Sequence, residues 1–131
     1  MTIIQRWCLL LLLAATPLTN AADDPKAIAG TYTGEVFNGN DMDAVITTFS
    51  FDNSGRLTGT YEVDEENGKY SGRLSNFMFE GPRTITMEWT DKFGEGYATM
   101  EFTLGFYSFT GEWGNKQSPE ALPWVGEKTA P

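Results

Sequence analysis

The sequence from Gly30 to Gly114 is a succession of short runs in which apolar and polar residues alternate, separated by turn signals. The run from Asp43 to Phe51 alternates in this way, and the turn signal Asp52-Asn53-Ser54-Gly55 follows it. A two-residue period is typical of a strand with one buried face, and no helical period is present. Because the links are short, consecutive strands should be antiparallel neighbours. The sequence therefore predicts an all-β protein built as an antiparallel meander.

Seven strands can be counted in this pattern, and Tyr32 to Phe37 is the first of them. Residues 115–131 hold three prolines and Trp124, and they are either a C-terminal tail or a short eighth strand. A meander has two unpaired edges unless it closes on itself, and closure is the usual solution. We therefore predict an up-and-down barrel of seven or eight strands, with an N-terminal extension at 22–29 and the barrel domain at 30–114.

The segment from Leu57 to Leu74 is nearly symmetric about Asn67-Gly68. This dipeptide is the strongest short signal for a two-residue hairpin turn, because both residues tolerate a positive φ. Centring the turn on Asn67-Gly68 places Tyr61 opposite Leu74 on the inner face. The turn therefore predicts the register of the two strands that it joins.

Two further features of the meander can be predicted locally. The apolar residues between Tyr70 and Phe79 change phase part-way along, which indicates a β-bulge near Ser75-Asn76. Gly105-Phe106 suits a two-residue turn with glycine first, and this turn would place Tyr107 on the inner face of the strand that follows.

A glycine flanked at two residues on each side by large apolar residues recurs four times. The four central residues are Gly34, Gly59, Gly72 and Gly111. Glycine weakens a strand, so its repeated use on an inward face needs a reason. One reason is that a small closed barrel needs places where strands bend and where an aromatic ring can lie over bare backbone. The other, compatible with the first, is that the glycines leave a cavity beside aromatic walls.

The first 21 residues have the features of a cleaved signal peptide. Arg6 supplies a positive charge, Leu9 to Leu13 form a short apolar core, and Thr19 to Ala21 offer small residues for cleavage. The apolar run is too short to span a bilayer, and no longer one follows, so no membrane insertion is expected. We predict export to a periplasm or to the extracellular space.

The composition excludes several kinds of chemistry. The chain has no histidine, and its one cysteine, Cys8, lies in the predicted leader. Disulfides, thiolate nucleophiles, histidine triads and Cys/His zinc sites are therefore excluded from the mature chain. The formal net charge of −9 disfavours nucleic-acid binding.

Two acidic clusters, 38–43 and 64–66, do not have the spacing of a known calcium loop and are predicted to be solvated turns. No metal, no cofactor and no catalytic residue is assigned. An enzyme would have to use carboxylates, tyrosine or lysine alone, so enzymatic activity is the weakest of the functional hypotheses.

Several short segments resemble the avidin and streptavidin family. Arg56-Leu-Thr-Gly-Thr-Tyr61-Glu62 is similar to that family's second hairpin, and Gly30-Thr-Tyr32 is similar to its first strand. The segments around Trp89 and Trp113 resemble its tryptophan-bearing strands. The resemblance implies an eight-stranded barrel, assembled as a dimer or tetramer, with a ligand at the barrel mouth. It also implies that Tyr61 bonds the ligand and that Trp89 and Trp113 wall the site, while Phe102 stands where a tryptophan is usual.

The same comparison shows where the chain departs from the family's polar ligand groups. The positions of its Asn and Ser pair fall at Gly34 and Asn38, and its next serine falls at Val63. Its Ser and Thr of the sixth strand fall at Ala98 and Met100. A buried polar head group left unpaired costs about 1–3 kcal/mol for each group. These departures predict a ligand other than biotin.

The candidate ligand-binding residues are Tyr61, Trp89, Phe102 and Trp113, with Trp124 as a further candidate. The leading hypothesis is an exported barrel that binds a small, mainly apolar ligand in its mouth. Eight-stranded barrels are, however, just wide enough for their own side chains to fill them. A filled core would favour the alternative hypothesis, a protein-interaction module such as an inhibitor or an assembly subunit.

Overall fold

The computed structural model describes residues 24–117 and 121–129, which form a closed barrel of eight antiparallel strands in sequence order. The leader predicted at 1–21 lies outside the described residues. The strands are β1 (Gly30–Phe37), β2 (Met42–Phe51), β3 (Leu57–Glu65), β4 (Gly68–Phe79), β5 (Thr84–Asp91), β6 (Gly94–Phe102), β7 (Ser108–Asn115) and β8 (Leu122–Lys128). Apart from these strands, the described residues contain two short 3₁₀ turns, Pro25–Ile28 and Leu104–Phe106. None of the described helical segments is long and apolar enough to cross a membrane.

The prediction of an up-and-down barrel is confirmed, and the C-terminal segment supplies the eighth strand. β8 pairs antiparallel with β7 on one side and with β1 on the other, so no sheet edge is left open. Trp124 lies in this strand and is buried. The barrel therefore continues beyond residue 114 as far as Lys128.

The register predicted for the β3–β4 hairpin is wrong by two residues. Tyr61 lies opposite Gly72, not opposite Leu74, and Glu65 pairs with Gly68. The turn is therefore centred on Glu66-Asn67, and the positive φ predicted for both central residues is found in this hairpin only at Gly68, where it is 128°. A shift of two residues keeps every side chain on its predicted face, because the strand period is also two.

This corrected register explains one of the recurring glycines. A Cβ atom on Gly72 would lie 2.1 Å from Cζ of Tyr61, far inside van der Waals contact. The Tyr61 ring therefore lies over bare backbone of the neighbouring strand. Glycine at this position allows a large aromatic side chain to be buried without pushing the two strands apart.

The predicted bulge in β4 is confirmed. The pairing between β4 and β5 shifts between Ser75 and Met78, and Asn76 has a φ of 54°. The turn predicted at Gly105-Phe106 is wrong, because residues between Thr103 and Ser108 form a longer link that contains a 3₁₀ turn. Phe106 is buried there, and Tyr107 is 71% exposed where an inward side chain was predicted.

One end of the barrel is filled by side chains. The closed end is packed with a cluster of aromatic rings, all buried, whose members are Tyr32, Phe49, Phe102, Phe106 and Phe109. Ile28, on the N-terminal 3₁₀ turn, is fully buried against them. The single hydroxyl hydrogen of Tyr32 has two carbonyl acceptors in reach, those of Ile28 at 2.9 Å and Phe106 at 3.0 Å, so the buried phenol is satisfied.

Candidate functional site

The opposite end of the barrel is hollow. A cavity of about 340 Å³ opens between the β1–β2, β3–β4 and β5–β6 links. Six of the side chains that line it are aromatic, namely Tyr61, Tyr70, Trp89, Phe93, Trp113 and Trp124. Cavities of this size and apolar character are typical of small-molecule sites.

The aromatic walls are built from three edge-to-face pairs. Trp89 and Trp113 have ring centroids 5.5 Å apart, and their planes are nearly perpendicular at 86°. Tyr61 meets Trp124 at 5.1 Å, and a third pair at the rim, Tyr70 with Phe93, has its centroids 5.0 Å apart. Such pairs are favoured by about 0.5–1.5 kcal/mol beyond simple burial. The walls are therefore held in fixed orientations.

Each indole N–H of the cavity wall already has an acceptor within the protein. Trp89 Nε1 donates to the carbonyl of Gly114 at 3.0 Å, and Trp113 Nε1 donates to the carbonyl of Phe37 at 2.9 Å. Trp124 Nε1 donates to the hydroxyl of Thr47 at 3.1 Å. These bonds fix the rings, so the tryptophans offer ring surface to a ligand and no N–H donors.

Tyr61 is tied to an acidic residue that the sequence did not single out. Its hydroxyl donates to Oδ2 of Asp91 at 2.6 Å. The other carboxylate oxygen of Asp91 accepts from the backbone N–H of Phe93 at 2.8 Å, which fixes the carboxylate at the end of β5. Burial raises the pKa of Tyr61 far above its usual range, and the hydrogen bond to Asp91 and the charge of that carboxylate add to the effect. Tyr61 is therefore neutral and its hydroxyl hydrogen is committed.

Tyr70 lies at the rim of the cavity, close to Asp91 and to two further carboxylates. Burial is the main cause that raises its pKa to about 12, and the carboxylates of Asp91, Glu65 and Asp43 raise it further. The rim of the cavity is thus negative as well as aromatic.

We expect the barrel to lose stability in alkali. The folded-state pKa of Tyr70 is above the value of about 10 for an unfolded tyrosine, so the folded protein holds this proton more tightly. The resulting stabilisation is complete below pH 10 and is lost as the pH rises towards 12. Burial acts in the same direction on Tyr32 and Tyr61.

Urea unfolding midpoints measured between pH 8 and pH 12 would test this expectation, and the midpoint should fall above about pH 10. In Tyr70→Phe the decline should be shallower, because one of the three groups is removed. A midpoint that stays constant through this range would contradict the assigned environment of these tyrosines.

The structure brings three of the predicted site residues together and separates the fourth. Tyr61, Trp89 and Trp113 line the cavity, and Trp124 joins them from β8. Phe102 does not line it: this residue ends β6 at the closed end and belongs to the aromatic cluster there. The prediction that Phe102 contributes to the same wall is therefore not supported by its position.

Several lining residues were not predicted, and two of them carry charge. Asp91 follows Trp89 by two residues on the same strand and therefore shares its inward face. Tyr70 shares the inner face with Leu74 by the same rule. Alternation alone could have identified Asp91 and Tyr70 as inward-facing residues. Glu65 ends β3 and continues the inward alternation of Tyr61 and Val63, so the prediction that 64–66 form a solvated turn is wrong for Glu65. Phe93 lies in the β5–β6 turn, where the two-residue period no longer defines a face.

The first acidic cluster forms a hydrogen-bonded turn at the same end of the barrel. Asn38 Oδ1 accepts from the backbone N–H groups of Asn40 and Asp41, at 2.7 and 2.8 Å. Its Nδ2 donates to Asp43 at 2.8 Å. No group of three or more acidic side chains suited to hold a metal ion occurs within 24–117 and 121–129. The polar groups of this turn are used within the turn.

Comparisons with protein-family models, with curated proteins and with solved structures found no match for this chain. The resemblance to avidins therefore rests on the short sequence segments alone. The tyrosine that the likeness would make a donor to the ligand instead donates to Asp91.

Proposed function

We propose that this protein binds a small molecule with a mainly apolar body in the cavity at the open end of its barrel. The observation that carries the proposal is the contrast between the two ends. One end is filled by its own aromatic side chains, whereas the other encloses about 340 Å³ between six aromatic residues. Eight-stranded barrels are either filled by their own side chains or have room for one small ligand. A hollow end with fixed walls therefore favours an occupant.

A binding function fits the chemistry of the cavity better than catalysis does. The hydroxyl of Tyr61 is neutral and already donates to Asp91, so it is a poor nucleophile and a poor base. The indole groups supply apolar surface alone. Export, predicted from the leader, would bring the barrel into contact with ligands outside the cytoplasm.

The alternative hypothesis, a protein-interaction module, requires no cavity. A barrel packed solid along its whole length would have favoured it, and the hollow end removes that support.

Native mass spectrometry of the protein purified from its own host, without refolding, tests the proposal. We expect a bound small molecule on each subunit, and the same spectrum gives the number of subunits. Trp113→Ala should weaken ligand binding about tenfold or more, because it removes one wall of the cavity and the apolar contact that it makes.

Tyr107→Ala is the matched control, since it truncates an aromatic residue that is 71% exposed at the closed end. It should leave the bound mass unchanged. An unliganded mass for the wild type, or equal retention of the ligand by Trp113→Ala, would overturn the proposal. A bound protein chain in place of a small molecule would point to an interaction module.

A further inference from the structure

The hydrogen-bonding groups of the cavity are strongly unbalanced. The donors among its lining side chains are largely committed: the three indole N–H groups bind carbonyl or hydroxyl oxygens of the protein. The Tyr61 hydroxyl donates to Asp91, and the Asn38 amide donates to Asp43. A ligand that needs donors from the protein finds few here.

Acceptors, by contrast, remain available in the same cavity. Glu65 and Asp91 both line it. The two oxygens of Asp91 each accept one bond, from Tyr61 and from the backbone of Phe93, and a carboxylate has about four acceptor positions. The Glu65 side chain has no hydrogen-bond or salt-bridge partner among the residues that the structure describes. A ligand is therefore offered two carboxylates with spare acceptor capacity.

Carboxylates outnumber cations around Tyr70 at the rim of the cavity: three act on this residue, and one lysine lies over its ring. Asp43, Glu65 and Asp91 are close enough to Tyr70 to act on its ionisation. The lysine is Lys92, whose Nζ lies 5.4 Å from the ring centroid of Tyr70 and 5.0 Å from that of Phe93. This lysine shows that the rim aromatics accept a positive charge on their faces, as ring quadrupoles favour.

We propose that the ligand is a small organic cation, with its apolar body against Trp89, Trp113 and Trp124 and its ammonium group towards Glu65 and Asp91. This inference rests on the proposed function and names the ligand class. An ammonium group donates N–H hydrogen bonds to the carboxylates, and its positive charge balances their negative charge. Desolvated aromatic rings strengthen its binding further. A carboxylate ligand would meet repulsion from both residues and no free indole donor.

Three probes of similar size and different charge test the inference: phenethylamine, phenethyl alcohol and hydrocinnamate, titrated into the full chain by calorimetry. Phenethylamine should bind about tenfold more tightly than the neutral alcohol, and hydrocinnamate should bind most weakly. The advantage of the amine should shrink as sodium chloride is raised, because salt screens its attraction to the carboxylates. The affinity of the alcohol should hardly change.

Two charge-removing variants locate the effect. Glu65→Gln and Asp91→Asn should each lower the affinity for phenethylamine about fivefold to tenfold, and they should lower the affinity for phenethyl alcohol much less, because the alcohol loses no charge–charge attraction. Glu66→Gln is the matched control: it removes the same charge one residue further along, from an exposed turn residue that does not line the cavity. It should leave both affinities close to those of the wild type.

The outcomes separate this inference from the proposal on which it rests. Equal binding of amine and alcohol, or tighter binding of hydrocinnamate, would overturn the cationic ligand and still support a small-molecule site. A loss of amine binding in Glu66→Gln as large as in Glu65→Gln would also overturn it, because general charge would then explain the effect. No binding of any probe, together with an unliganded mass from the host, would overturn both.

Discussion

Replacing Phe102 by alanine is expected to destabilise the barrel by about 3–5 kcal/mol and to leave ligand binding intact. The side chain is 3% exposed, and its ring contacts those of Tyr32, Phe49, Phe106 and Phe109 at centroid distances of 5.1 to 5.9 Å. Alanine would leave a cavity among rings that cannot collapse together, because each is held by other neighbours. The change in the free energy of unfolding can be measured from urea unfolding monitored by circular dichroism.

The control for this experiment is again Tyr107→Ala, whose side chain is mostly exposed and should change the stability by no more than about 0.5 kcal/mol. Phe102→Ala and Trp113→Ala should then behave in opposite ways. The first should reduce stability with binding retained, and the second should reduce binding with a smaller loss of stability. A Phe102→Ala protein that stays stable but loses its ligand would instead return Phe102 to the site, as the sequence suggested.

The position of Phe102 shows what alternation can and cannot predict. A two-residue period gives the face on which a side chain lies, and Phe102 does face inward as predicted. It does not give the height of that side chain along the barrel axis. Phe102 is the last residue of β6 at the closed end, whereas Trp113 lies near the end of β7 at the open end. Counting residues from each turn would have separated the two.

The fold was more predictable than the site because a barrel depends on pattern and closure, and both are properties of the strands. The two-residue error in the β3–β4 register left the inward faces of Tyr61 and Val63 unchanged, so the architecture survived it. Turns were less predictable. Phe106 is buried and Tyr107 exposed because a 3₁₀ turn replaces the tight hairpin turn there.

The hollow end could not be derived from the strand pattern. Whether a barrel is filled depends on the volumes of the inward side chains at each level along the barrel axis. Which side chains share a level follows from the register of all eight strands together. At the closed end, Ile28 and Phe106 enter from outside the strands and complete the packing. At the open end, Val36 and Val63 supply smaller side chains to the lining of the cavity. The sequence left both outcomes open, and the structure decides between them.

Replacing Gly34 by alanine is expected to cost at least about 3 kcal/mol, because the added methyl group would collide with backbone. A Cβ atom at this position would lie 1.9 Å from the carbonyl oxygen of Val125 and 2.7 Å from Cα of Gly126. Both atoms belong to β8, and Gly34 pairs directly with Gly126 in the seam that closes the barrel. Unlike the end of a flexible side chain, a paired strand cannot move aside cheaply.

Gly81→Ala provides the comparison, since no atom lies within 4 Å of the position that its Cβ would occupy. It should change the free energy of unfolding by no more than about 0.5 kcal/mol, and both variants can be followed by the same urea titration. If Gly34→Ala were as well tolerated as Gly81→Ala, β1 and β8 could not approach as closely as the structure shows. The seam would then be open. Val36 of β1 and Trp124 of β8 pair across that seam and both line the cavity, so the cavity would lose one of its walls. A large loss of stability in Gly34→Ala alone would instead establish the closure on which the binding proposal depends.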